Sequence, residues 1–187
     1  MIILASASPR RQELLKLICD DFTVEPANID EALPKCVPLE EIPQSLALQK
    51  ALHIQSRGHF GDIVIGCDTG VFADGAMLGK PRSPEDACEM LRELSGKTHK
   101  VITGCALLYK DKTEVFSQTT KVSFYELSEE EIKAYVISGE PMDKAGAYGI
   151  QGKGGLFVKQ IVGDYFNVVG LPVALLNRKL SAVMKSR

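Results

Sequence analysis

Three stretches of this chain carry side chains at spacings that suit the handling of phosphate. The first is Ser6-Ala7-Ser8-Pro9-Arg10-Arg11, where a short apolar run stops and a helical pattern begins. A strand end that feeds a helix N-terminus at Ser8 offers free backbone N–H groups and a positive dipole end, a natural seat for an anion. Arg10 and Arg11 fall in the first helical turn, where the macrodipole disfavours a cation by about 0.3 to 1 kcal/mol unless an anion is present. Local frustration of this kind often marks a ligand site, and the plainer alternative is a pair of exposed arginines salt-bridged to surface carboxylates. GxxxxGK[ST] occurs nowhere, so the pattern is not a P-loop.

The second stretch is Gly66-Cys67-Asp68-Thr69-Gly70. A carboxylate at the end of a buried strand lies where open α/β sheets place ligands, and Asp68 is there a candidate general base. It could equally hold a divalent cation, since hard cations prefer carboxylate oxygens, or simply hydrogen-bond the turn that follows. Glu31 is a second candidate cation ligand, although an acidic loop residue is more often only solvated.

The third group is Lys80, just after a hairpin beside the Asp68 strand, together with the segment from Glu140 to Gly152, which leads into a Gly-rich run. Lys80 could supply a phosphate cation. Glycines let a backbone approach a planar ligand closely, and Gln151 within the segment offers both a donor and an acceptor to a base edge. His53, His59 and His99 fit no metal spacing and read as surface or satisfied histidines.

The elements that must hold these groups follow from the hydrophobic periodicity. Ile2 to Ala5 reads as a strand, and Leu14, Leu15, Leu17 and Ile18 as one helix face after Pro9. Phe22 to Pro26 is a short strand. Leu46, Ala47, Lys50, Ala51 and Ile54 recur at helical spacing. DIVIGCD is a doubly buried strand, broken by Thr69-Gly70, and Asp74-Gly75 marks a hairpin. Ser83-Pro84 opens a helix that Gly96 closes, and Ser128 with Glu131 forms a capping box. Between them, Lys100 to Leu127 alternates as two extended segments. A Gly-rich loop, a strand at LFVKQIVG and a last helix behind Pro172 complete an α/β pattern in a single domain of 187 residues.

A formal net charge of −2 gives no global field toward nucleic acid or an anionic membrane, so an anionic ligand must be held by a local cluster. No aromatic-basic pattern suggests a nucleic-acid surface. Five scattered cysteines without a CxxC pair read as reduced thiols. MIILASASPRR lacks a basic leader, and no apolar run approaches the roughly 20 residues of a membrane helix. Together these features predict a cytoplasmic protein without membrane spans; whether two copies form a homodimer is left open.

SASPRRQELL, ALQKA, GCDTGV, LGKP, LRELSGKTHKVITG, SGEPMDKAGAYGIQG and VVGLP, in order along nearly the whole chain, resemble the Maf family, also called septum formation inhibitor-like proteins. The resemblance implies an elongated mixed β-sheet with flanking helices and two lobes around a central cleft, related to the inosine triphosphate pyrophosphatases. It also implies nucleoside triphosphate pyrophosphatase activity dependent on a divalent metal cation, Mg²⁺ or Mn²⁺. The family's proton-accepting Asp falls on Asp68, its substrate-discriminating positions on Arg10, Thr69 and Gln151, and its phosphate residues on Ser8, Arg11, Lys50 and Lys80. Glu31 matches the family's acidic loop position. The trio Arg10, Thr69 and Gln151 is similar to the branch acting on dTTP and UTP. The branch acting on 7-methyl-GTP carries Trp, Gln and Glu at the same three places. The competing reading is a nucleotide-sensing regulator of septum formation that binds without turnover.

Overall fold

In a computed structural model, residues 1–29 and 37–185 are described; Glu31 and Cys36 fall outside them. The strands are β1 (Ile2–Leu4), β2 (Thr23–Val24), β3 (Ile63–Ala73), β4 (Ala76–Leu78), β5 (Thr98–Tyr109), β6 (Lys112–Phe124) and β7 (Val158–Val162). The helices are α1 (Pro9–Leu15), α2 (Ile42–Gln55), α3 (Pro84–Leu94), α4 (Glu129–Ile137), α5 (Tyr165–Val169) and α6 (Val173–Lys185). The strands make one mixed sheet in the order β2-β1-β3-β5-β6-β7, with β4 paired to β3. β1 runs parallel to both β2 and β3, whereas β4 on β3 and β7 on β6 are antiparallel.

The chain divides into two compact units. The first comprises Met1–Thr69, Thr103–Gln118 and Gly170–Arg187, and the second Gly70–Ile102 and Thr119–Val169. In the first, Ile3, Val64, Ala106 and Leu108 of the sheet, with Ala5 just past β1, pack against Ala47, Ala51 and Ile54 of α2. The helix comes unusually close to the strands because two glycines leave room for it. A Cβ on Gly66 would collide with the Ala47 carbonyl and come 3.0 Å from the Ala51 Cβ, and one on Gly104 would collide with the Pro43-Gln44 backbone. Small residues on both surfaces therefore fix α2 directly over β3 and β5.

The second unit is built around Leu91 and Leu94 of α3, Ile132 and Tyr135 of α4, and edge-on aromatic contacts such as Phe124 with Tyr148 at 4.8 Å. The expected caps are present. Ser83 accepts from the Asp86 N–H, and Ser128 forms a complete capping box with Glu131. Asp74 and Gly75 both take positive φ, the backbone that a two-residue hairpin turn requires.

Two expectations change. The helix after Pro9 ends at Leu15, so Leu17 and Ile18 lie beyond it and Leu17 is exposed. Thr69-Gly70 does not break the strand, since β3 runs unbroken from Ile63 to Ala73. Val71–Ala73 pair with Leu78–Ala76 of β4, and a Cβ on Gly70 would meet the Phe72 ring at 2.8 Å. Gly70 is thus a packing glycine inside a strand rather than its terminator. Two of the three histidines lie at the surface or are partly covered, but His99 is buried in the second unit with its Nε2 in a 2.9 Å hydrogen bond to the Tyr148 hydroxyl. Its Nδ1 has no partner among the described residues.

Burial lowers the His99 pKa from 6.5 to about 4. Between those values the unfolded chain binds more protons, so stability is complete above pH 6.5 and falls as the pH drops toward 4. The loss approaches about 3 kcal/mol. Urea unfolding at pH 7 and at pH 4.5 should register this fall, and His99→Gln should remove most of the pH-dependent part. An equal fall in both proteins would acquit His99.

Candidate functional site

Every residue of β3 is buried except Asp68 and Thr69, in the middle of the strand. Because β3 continues past them, Asp68 stands within a strand rather than at its end. The close seat of α2 over Gly66 then places Lys50, the residue just before Ala51, above Asp68. Lys50 Nζ donates to Asp68 Oδ1 at 2.5 Å, with the two side chains only 12% and 14% exposed. Asp68 Oδ2 accepts from none of the described residues. The result is an ion pair, mostly withdrawn from water, whose carboxylate has one oxygen that no described residue donates to.

Arg11 is held by four hydrogen bonds within the first unit. Its Nε donates to the Gly170 carbonyl at 2.9 Å, Nη1 to Ser6 Oγ at 3.1 Å and to the Cys67 carbonyl at 3.0 Å, and Nη2 to Thr69 Oγ1 at 3.0 Å. None of these partners is a carboxylate, so the alternative of a surface salt bridge does not describe Arg11. The Thr69 hydroxyl also shares a 2.9 Å hydrogen bond with Thr103, which is fully buried. A hydroxyl has one proton and two lone pairs; Arg11 takes a lone pair and Thr103 a second position. A single position is left unfilled by the described residues. Gly170, at φ +124°, brings its carbonyl to Arg11 in a backbone conformation that favours glycine.

Ser8 is the half-buried N-cap of α1, and its hydroxyl makes no cap bond. Its carbonyl accepts from the Gln12 N–H at 3.2 Å. Arg10 follows in the same turn, partly exposed, and no acidic residue occupies that turn. Beneath Asp68, the Cys67 and Cys105 thiols lie 3.8 Å apart and wholly buried, a pairing of neighbouring strands that the scattered cysteine spacing does not reveal.

The first unit therefore brings together Ser8, Arg10, Arg11, Lys50, Asp68 and Thr69. Lys80 and Gln151 belong to the second unit, and both are exposed. There the Gly146 N–H donates to the Gly79 carbonyl at 3.0 Å, tying the segment before Lys80 to the Gly-rich run. Residue patterns alone missed Ser6, Thr103 and Gly170, whose contribution is to hold Arg11 and Thr69. They lay in or beside recognisable stretches, but only the three-dimensional contacts give them a role.

The Maf-like protein family model matches residues 1–183. A dTTP/UTP pyrophosphatase of Bacillus mycoides (strain KBAB4) is 51% identical over 179 residues, 96% of this chain and 93% of that protein. A dTTP/UTP pyrophosphatase of Bacillus cereus (strain B4264) is similar to the same extent. Among solved structures, the Staphylococcus aureus Ham1 protein matches with a TM-score of 0.56 at 19% identity, covering 97% of this chain and 98% of that one. A HAM1 protein from Coxiella burnetii matches with a TM-score of 0.53 at 14% identity, covering 100% and 98%. These likenesses bear out the expected kinship of fold, and the match along residues 1–183 settles that the chain belongs to the Maf family.

Proposed function

We propose that this chain is a nucleoside triphosphate pyrophosphatase that hydrolyses dTTP and UTP, and modified pyrimidine nucleotides of the same edge chemistry, to the monophosphate and pyrophosphate. The observation that carries the reading is the Lys50–Asp68 pair, with a carboxylate oxygen that no described residue donates to, on the one solvent-touched stretch of an otherwise buried strand. The relatives that share about half of its residues, named as dTTP/UTP pyrophosphatases, support the substrate class.

In this reading Asp68 Oδ2 accepts the proton of a water that attacks phosphorus. A new P–O bond forms, the bridging P–O bond between the α and β phosphates breaks, and the monophosphate and pyrophosphate separate. Lys50 supplies positive charge to the departing phosphates, with the N–H groups that follow Ser8. The family resemblance adds Arg11 and Lys80 on the phosphates and Arg10, Thr69 and Gln151 for choice of the base.

The donor set also bears on the metal. Among the described residues no group of three His, Cys, Asp or Glu side chains could cage an ion. A single carboxylate with one oxygen that no described residue donates to fits a hard cation that arrives with the nucleotide and keeps most of its waters, as Mg²⁺ does. Asp68 would hold it, with Glu31 as the second carboxylate. Such a cation, when bound, would neutralise phosphate charge and acidify water.

Product analysis of UTP by phosphorus NMR tests the whole reading. UMP with pyrophosphate is the expected result. UDP with phosphate would overturn the bond assignment, and binding without any product would favour the nucleotide-sensing regulator.

A further inference from the structure

We propose that Tyr135 and Glu140 form a clamp that fixes the Gln151 loop, and that Glu140 is thereby a positioning residue for base selection. The inference rests on the proposed function, because it assumes that Gln151 meets the base.

Gln151 is exposed, and the loop around it is rich in glycine. An exposed Gln on such a backbone loses considerable rotamer and main-chain entropy when it is held still. A side chain that swings freely discriminates poorly between two base edges. The loop must therefore be anchored from elsewhere.

The anchors converge on one phenol and one carboxylate. Tyr135, buried on α4, accepts from the Gly149 N–H at 3.1 Å and donates to Glu140 Oε1 at 2.9 Å. Glu140 Oε2 accepts from the Lys153 N–H at 3.1 Å, and Oε1 from the Gly154 N–H at 3.3 Å. The two ends of the segment 149–154 are thus gripped together, with Gln151 between them. Lys144 completes the grip by donating from Nζ to the Glu140 carbonyl at 2.6 Å.

The glycines of the loop take their meaning from this clamp. A Cβ on Gly149 would press on the Lys144 side chain, one on Gly152 would collide with the Glu140 carboxylate, and one on Gly154 would sit 2.7 Å from the Tyr135 hydroxyl. All three leave space for the clamp itself. Sequence alone reads the same glycines as room for a planar ligand. Burial by itself would push the Glu140 carboxyl up. The two backbone N–H donors, the Tyr135 hydroxyl and nearby Lys144 outweigh it and hold the group below the usual range. Burial keeps the Tyr135 hydroxyl protonated, so it remains a donor.

The test compares Glu140→Gln and Tyr135→Phe with the wild type on UTP and CTP, whose base edges differ by one reversed donor–acceptor pair. Glu140→Gln replaces one acceptor oxygen by an amide that faces a backbone N–H, and Tyr135→Phe frees the Gly149 N–H. Each is expected to shrink the UTP:CTP ratio of kcat/KM by about 10-fold or more, mainly through a higher KM for UTP. Hydrogen exchange should show the Gly149, Lys153 and Gly154 amides protected in the wild type and faster in the variants. If the wild type does not cleave UTP, the proposed function itself falls. If it prefers UTP and the folded variants keep the same ratio, the clamp falls while the function stands. Should Glu140→Gln fail to fold, Tyr135→Phe decides, and unprotected amides in the wild type would overturn the clamp outright.

Discussion

Asp68→Asn is expected to lower kcat for UTP by roughly 10²- to 10⁴-fold, the usual scale of a general-base contribution. The replacement keeps the side-chain volume, and an Asn oxygen can still accept from Lys50, so β3 and α2 should remain packed over Gly66. What disappears is the oxygen able to take a proton from water, together with one negative charge close to where phosphates would lie. Turnover should therefore fall far more than nucleotide affinity changes, a pattern that separates chemistry from binding. Single-turnover hydrolysis and a binding titration on the same preparation measure both. Half of wild-type turnover at saturating metal would strip Asp68 of its role.

The second large effect concerns the base. The wild type is expected to use dTTP and UTP best, CTP less well, and ATP, GTP and 7-methyl-GTP poorly. A site built to pair a polar edge rejects one that leaves its donors and acceptors unmatched by up to about 10⁴-fold. Replacing Arg10, Thr69 and Gln151 together by Trp, Gln and Glu should erode pyrimidine activity and move selectivity toward 7-methyl-GTP.

The contacts of Thr69 sharpen this expectation. Its hydroxyl is held by Arg11 and Thr103, so Thr69→Gln cuts both hydrogen bonds, whereas Thr69→Ser preserves them. Thr69→Ser should stay within a few-fold of wild type on UTP, and Thr69→Gln should carry most of the loss. The measurement is kcat/KM across the panel. A wild-type value for 7-methyl-GTP equal to or above that for UTP would refute the pyrimidine assignment.

What could be read from residues alone was what neighbouring residues decide. The Ser83 cap, the Ser128 capping box, the Asp74-Gly75 turn and the strand–turn–helix at Ser8 each depend on a few adjacent positions, and all appear as expected. Asp68 stood out because a carboxylate amid an apolar run is conspicuous. Its partner did not, because Lys50 reaches it only through the close approach of α2 permitted by Gly66 and Gly104. The continuation of β3 through Gly70 depends on ladder partners in β4 rather than on the local preference of glycine. The helix turn of Arg11 says nothing of its partners, since its Nε finds its acceptor at Gly170, 159 positions away. Periodicity and capping rules carry no information at that separation. The thiol contact of Cys67 with Cys105 was hidden for the same reason.

The first unit is drawn from three separate stretches, and the last begins at Gly170. A growing chain thus possesses Lys50, Asp68 and Thr69 long before it possesses the carbonyl that receives Arg11 Nε. At roughly 5 to 20 residues per second, the wait between Thr69 and Gly170 on the ribosome lasts on the order of ten seconds. Throughout it, α6 is absent and one end of the Arg11 network is untied. Activity should accordingly arrive all at once when synthesis passes this stretch, and nascent chains arrested earlier should hold β1 and β3 in a form that chaperones recognise.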